Sequence, residues 1–204
     1  MIELVSNSLL RCAMLFCFVL FLSLTGCATA PVLMELKPDW VSLQQVNYWT
    51  VKGRVAFRNG NEGWHGRISW VSSPLEDKIK IAGPIGQGAI VILMRGDVVE
   101  VLFSDGRKEV TRDPAALLER QLGFSVPLKA LRWWIRGLPE EKESFDIVKN
   151  NPDSIVFRQG GWLISQRDFR LSPDKVRPYR LKIESEKLSL KFVIDRWEEG
   201  LSNG

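Results

Sequence analysis

Short segments in which apolar and polar residues alternate, separated by turn residues, restrict the fold of this chain more than any other feature. Trp49–Arg58 and Trp64–Val71 are the first clear cases, and Lys187–Trp197 is the last. Alternation with a period of two is typical of strands with one buried face. We count about ten such strands and find no strand–helix–strand rhythm, so the sequence predicts a mainly β fold with a strongly curved antiparallel sheet.

Three helices are predicted between these strands. Asp39–Val46 has apolar residues at three-residue spacing. A second helix begins at Asp113-Pro114, a capping residue followed by an N-terminal proline, and ends at Gly123. A third begins at Pro127, has Leu128, Leu131 and Ile135 on one face, and ends before Gly137 and Pro139.

The N-terminus has the pattern of a bacterial export signal. Cys12–Leu24 is an uncharged apolar run, too short for a spanning helix and typical of a signal core. It leads into Leu24-Thr25-Gly26-Cys27, which resembles a lipobox, the motif that implies lipid attachment to Cys27 and cleavage before it. The alternative is an ordinary signal peptide with an incidental cysteine. We therefore expect a signal peptide at 1–26, a lipidated tether at 27–39 and a single domain at 40–204.

Groups that carry enzyme chemistry are scarce. The chain of 204 residues has one histidine, His65, and three cysteines, two of which precede Cys27. This inventory excludes most zinc sites and most histidine-dependent catalysis, so we expect no enzyme, no metal and no cofactor. The net charge of +4 contains no long single-sign run, and we expect no nucleic-acid partner. The 8 Trp and 10 Phe residues fill a core or line an apolar pocket, and the sequence leaves both open.

The segment Pro127–Pro139, with the sequence PLKALRWWIRGLP, resembles the central helix motif of the LolB family of outer-membrane lipoprotein receptors. The lipobox and four further features agree with that family: Trp70 at the end of a strand, Pro84-Ile85-Gly86 in a loop, the segment Arg158–Trp162, and the terminal strand that ends at Trp197. The absence of an aspartate at position 28 agrees with sorting to the outer membrane in that family.

The resemblance implies an incomplete β-barrel covered by a helical lid over an apolar cavity. Leu128, Leu131, Trp134 and Ile135 are then the candidate cavity residues, and Ile85 is the apolar tip of a loop that contacts the membrane. It further implies a lipid-anchored, periplasm-facing monomer that takes lipoproteins from the soluble carrier LolA and delivers them into the outer membrane. Two other functions remain open: a passive lipid-binding or small-ligand-binding lipoprotein, and a structural lipoprotein of the envelope.

Overall fold

The computed structural model describes residues 37–83 and 88–200, which form one antiparallel sheet and three helices. The helices are α1 (Trp40–Gln44), α2 (Pro114–Leu122) and α3 (Leu128–Trp134). The strands are β1 (Trp49–Asn59), β2 (Glu62–Ser72), β3 (Asp77–Ala82), β4 (Ile90–Arg95), β5 (Val98–Leu102), β6 (Lys108–Thr111), β7 (Phe145–Asn151), β8 (Ser154–Gln159), β9 (Trp162–Leu171), β10 (Val176–Glu184) and β11 (Leu188–Glu199).

The sheet contains all eleven strands in the order β6-β5-β4-β3-β2-β1-β11-β10-β9-β8-β7, and every neighbouring pair is antiparallel. Within β1–β6 and within β7–β11, strands that follow each other in the chain are neighbours, and β1 joins the two halves by pairing with β11. The sheet does not close, because β6 and β7 remain its two edges. The predicted open antiparallel architecture with a few helices is confirmed.

The strands predicted from the sequence do not include β7. Six of its seven residues are exposed, and it carries a register shift between Ile147 and Lys149. An exposed edge strand has no buried face, so the alternation that reveals the other strands is absent from its sequence.

The alternating residues divide each central strand between two faces. On β1, Val51 and Val55 are buried on the inner face, whereas Lys52 and Arg54 are exposed on the outer face. At one end of the inner face Trp49 packs between Trp70 and Trp197, with ring centroids 5.4 and 6.0 Å away. Burial of such large rings on one face is the main force that holds a sheet against its helices.

Helix α2 has well-formed ends. The Asp113 carboxylate accepts a hydrogen bond from the Ala116 amide at 3.0 Å, and Pro114 occupies the first turn. Gly123 ends the helix in the left-handed conformation, with φ of 74°. The sequence signals for this helix are therefore confirmed, and they place Leu117 and Leu118 against the inner face of the sheet.

Candidate functional site

An apolar cavity of about 200 Å³ lies between the inner face of the sheet and the segment that contains α2 and α3. The sheet contributes side chains from β1, β2, β3, β4 and β11, and the helical segment contributes Leu118, Phe124, Val126, Leu128 and Leu131. The lining from the sheet and its connections consists of Val55, Phe57, Trp64, Ile68, Trp70, Ile79, Ile81, Gly88, Ile90, Ile92, Leu190 and Phe192. A lining without charged groups suits a hydrocarbon ligand.

Aromatic rings form one end of this cavity. Phe57 stacks on Trp64 with centroids 5.8 Å apart and contacts Phe124 at 4.7 Å. Gly66 makes this arrangement possible, since a Cβ there would lie 2.4 Å from the Trp64 ring and 2.3 Å from the Ala82 carbonyl oxygen. The Trp64 ring therefore lies over a position where only a glycine fits.

Helix α3 is held to the sheet by a polar contact beside the cavity. The Asp77 carboxylate accepts a hydrogen bond from the Trp70 indole at 3.0 Å and pairs with the Arg132 guanidinium at 2.9 Å. Arg132 also donates to the Ser72 hydroxyl at 3.0 Å. Because both partners of the ion pair are largely buried, loss of either leaves an uncompensated charge. This contact fixes α3 over β2 and β3.

The C-terminal end of α3 is fixed by two further side chains. The Trp134 indole donates to the Gln159 amide oxygen at 2.8 Å. Arg136 is buried, and its guanidinium donates hydrogen bonds to two carbonyl oxygens. One belongs to Leu43 in the last turn of α1, and the other to Val46, which follows α1. Burial lowers the pKa of Arg136 to about 10, with a smaller contribution from the charges of Arg132 and Arg177. These hydrogen bonds hold the C-terminal end of α3 in place beside the sheet.

Helix α2 has fewer polar ties to the sheet than α3. Within residues 37–83 and 88–200, the hydrogen bond that joins its C-terminal end to the sheet runs from the Asn59 amide to the Gly123 carbonyl, at 3.1 Å. Leu118 lines the cavity and also a second apolar space of about 40 Å³, which extends towards β5. Leu118 therefore lies between the two spaces together with Ile81, Ile90 and Ile92 of the sheet, and it belongs to the helix with fewer polar contacts.

The structure brings two of the four predicted cavity residues to the cavity. Leu128 and Leu131 line it. Trp134 and Ile135 lie outside the lining: the Trp134 ring packs against Trp162 at 5.9 Å, and Ile135 is wholly buried in the core. Cys27 and Ile85 fall outside the described residues.

Sequence reasoning missed most of the cavity wall. Phe57, Trp64 and Ile68 lie on the same face of β1 and β2. The alternation in the sequence puts them on one face, but it does not show that this face lines a cavity. Phe124 and Val126 lie in the short connection between α2 and α3, which carries no periodic signal. Their role follows only from where the connection crosses the sheet.

The site contains no arrangement typical of catalysis in the part of the chain that the structure describes. His65 is exposed on the outer face of β2, away from the cavity lining. In residues 37–83 and 88–200 no three His, Cys, Asp or Glu side chains are grouped so as to hold a metal ion. In the same ranges, no helix is long and apolar enough to cross a bilayer.

Fold and cavity together define a class: an open antiparallel sheet, covered by helices, with an internal apolar cavity. Comparison with known proteins then identifies the family. The family model described as "Outer membrane lipoprotein LolB" matches residues 47–197, so the chain belongs to the LolB family. This membership confirms the resemblance, and with it the prediction that the chain is an outer-membrane lipoprotein receptor and not an enzyme.

Individual relatives agree with this assignment. The chain is 31% identical to an outer-membrane lipoprotein LolB from Nitrosococcus oceani, over 78% of this chain and 80% of the relative. It is also 31% identical to one from Chromohalobacter salexigens, over 88% and 87% of the two chains. Among solved structures, a LolA superfamily protein from Nitrosomonas europaea superposes with a TM-score of 0.47 at 8% identity, over 77% of this chain and 88% of that one.

Proposed function

We propose that this receptor binds the acyl chains of lipoproteins in its apolar cavity, accepts them from a soluble carrier of the LolA type, and releases them into the outer membrane. The observation that carries the proposal is the cavity itself, whose lining residues are apolar or aromatic throughout. Exposing an acyl chain to water costs about 0.8 kcal/mol for each CH₂ group. A protected site is therefore required on any aqueous route.

The direction of transfer needs only an order of affinities. The cavity must bind acyl chains more tightly than the carrier does and less tightly than the bilayer does. Such an order requires no acid, base or metal at the site. It agrees with a cavity from which His65 and the charged residues are absent.

The size of the cavity suggests how a whole chain enters. A dry apolar cavity of about 150 Å³ accepts benzene, whereas pockets for larger ligands span about 300–1,000 Å³. The present cavity, at about 200 Å³, takes only part of an acyl chain. In this proposal α2 moves away from the sheet and enlarges the cavity, because α3 is fixed by Asp77 and Arg136. Leu118 of α2 lies between the cavity and the adjoining space, so the same movement joins them.

The anchor in this proposal is Cys27, with residues 1–26 removed as a signal peptide and 27–39 as the tether. The Asp39 carboxylate caps α1 by accepting from the Val41 amide at 3.0 Å, which supports a domain that starts near residue 40. Cys27→Ala is expected to prevent lipidation and release the protein into the periplasm, measured by membrane fractionation and mass spectrometry. An unmodified Cys27 in the native protein would contradict the anchor.

Delivery in this proposal depends on Ile85. The segment 84–87 that contains it lies between Gly83 and Gly88, and Gly88 lines the cavity. Burial of one isoleucine contributes about 1.5–3 kcal/mol, enough to favour a local membrane contact. Ile85→Glu is expected to leave folding, anchoring and cargo uptake intact and to block delivery, so that cargo accumulates on the receptor.

The matched control for Ile85 is Gln87→Glu, which adds the same charge to the same segment. Delivery by the control is expected to stay near that of the parent protein. An unfolded Ile85→Glu protein would make Ile85 a core residue, and normal delivery would remove the loop from the mechanism.

Passive lipid binding is the second candidate, since an apolar cavity alone serves it equally well. The receptor and the passive binder differ in whether they take cargo from a carrier protein. A receptor takes labelled lipoprotein from the loaded carrier when the two proteins are mixed, and a passive binder leaves the cargo on the carrier. Cargo transfer measured by chemical crosslinking therefore decides between them.

A further inference from the structure

The outer face of the sheet carries a shallow groove of about 850 Å³, opposite the apolar cavity. The groove runs across β1, β2, β11 and the end of β3. Small residues make up much of its lining, namely Ala56, Gly66, Ala82 and Gly83. Val55 borders both the groove and the cavity, so the two spaces are separated by little more than the thickness of the sheet.

Three positively charged side chains, Arg54, Arg67 and Lys191, line the groove together with His65. Arg54 pairs with Asp195 at 3.0 Å. Arg67 and Lys191 are exposed and make no hydrogen bond or ion pair in the part of the chain that the structure describes. The groove is therefore positively charged, with two cations free to bind an anion.

The excess of positive charge extends over the outer face. Within the described ranges, exposed basic side chains without an ion-pair partner recur on the outer face, among them Arg58, Arg67, Lys78, Lys80, Arg167 and Lys191. Two acidic side chains of this face are engaged in ion pairs of their own, Asp195 with Arg54 and Glu184 with Lys182. The face thus presents a positive surface with the groove within it.

The groove is lined by the two residues that directly precede, in the chain, the segment that the proposed function places at the membrane. Ala82 and Gly83 line the groove and directly precede residues 84–87, and Gly88 directly follows that segment and lines the cavity on the opposite face. A membrane reached by this segment would lie close to the groove. The nearness of the membrane to the groove rests on the proposed function, whereas the charge of the groove is independent of it.

We propose that this groove binds the phosphate headgroups of anionic phospholipids in the target membrane. Guanidinium and ammonium groups are the side chains that bind phosphate oxygens, and exposed cations act together on a charged lipid surface. The three cations lie on an open face rather than in an enclosed pocket, which suits a lipid surface better than a single free phosphate. Contact through the groove brings Gly83, which directly precedes the proposed membrane segment, next to the bilayer.

The test uses the mature lipidated protein in vesicles of zwitterionic phospholipid, with or without phosphatidylglycerol that carries a photoactivatable headgroup. Crosslinked peptides are mapped by mass spectrometry. The groove variant combines Arg67→Gln with Lys191→Gln. The control combines Arg112→Gln with Lys149→Gln, which removes the same charge from exposed positions outside the groove lining. Uptake of cargo from the loaded carrier is measured on the same samples.

Crosslinks are expected on β1, β2 and β11, and their yield is expected to fall about fivefold for each cation removed from the groove, with little change in the control. High salt is expected to weaken them, since exposed charges are screened. Crosslinks elsewhere, or a yield unchanged in the groove variant, would overturn the proposal. So would competition by inorganic phosphate, which would indicate a free-anion site.

The measurement of cargo uptake tests the receptor function separately from headgroup binding by the groove. Loss of cargo uptake in the groove variant with crosslinking intact would make the groove a docking surface for the carrier, and would overturn the lipid assignment. Absence of uptake in the parent protein, with groove crosslinks present, would contradict the receptor function and leave headgroup binding supported.

Discussion

Leu131→Phe distinguishes an accessible cavity from a filled core. Leu131 belongs to the fixed helix α3, is 6% exposed and lines the cavity of about 200 Å³. Phenylalanine adds about three carbon atoms, and burial of each is worth about 0.8 kcal/mol, so a ring that enters the cavity gains up to about 2 kcal/mol. In a filled core the same change costs about 1–3 kcal/mol by overpacking.

The two outcomes therefore differ by about 3–5 kcal/mol in the free energy of unfolding. For a domain of this size each kcal/mol shifts Tm by about 2–4 °C, so a thermal melt resolves them. We expect Leu131→Phe to keep or raise Tm while it weakens binding of a fluorescent acyl probe. Ile135→Phe is the matched control, because Ile135 is wholly buried and outside the cavity lining, and it is expected to lower Tm. Equal destabilisation by both variants, with probe binding unchanged, would refute the cavity.

Two further predictions concern the helices. Leu118→Ala removes the side chain that α2 places between the cavity and the adjoining space of about 40 Å³. A series of acyl probes is therefore expected to show the largest gain in affinity for the longest chains, and an equal change at every length would contradict this. Asp77→Asn breaks the largely buried pair with Arg132 and is expected to lower the free energy of unfolding by about 2–4 kcal/mol in urea. Its control is Lys129→Gln, which breaks the exposed pair with Asp97 and is expected to leave the free energy of unfolding unchanged. The same loss of stability in both variants would contradict the role of Asp77.

The sequence predicted the sheet well wherever one face of a strand is buried. β1 and β11 alternate along most of their length, and their predicted positions agree with the structure. β7 lacks this pattern because its residues are exposed at the edge of the sheet. Burial, rather than strand propensity, produced the signal that could be read.

The cavity was predictable only in part. Helical spacing placed Leu128, Leu131 and Ile135 on one face of α3, and that face does point to the sheet. The sequence could not show that the cavity ends after Leu131, because its extent depends on rings such as Trp64 from a distant strand. The Asp77–Arg132 pair was equally hidden, since its partners lie far apart in the chain.

The central claim is that acyl chains occupy this cavity, and a crystal structure of the mature protein with a lipopeptide brominated along its acyl chain tests it most directly. Anomalous scattering locates the bromine atom without reference to the rest of the ligand. The account predicts a bromine peak between Leu131 on α3 and Trp64 and Ile68 on the sheet, with α2 displaced to admit the chain. A peak in the outer groove, or elsewhere on the surface while the cavity keeps its volume of about 200 Å³, would contradict it.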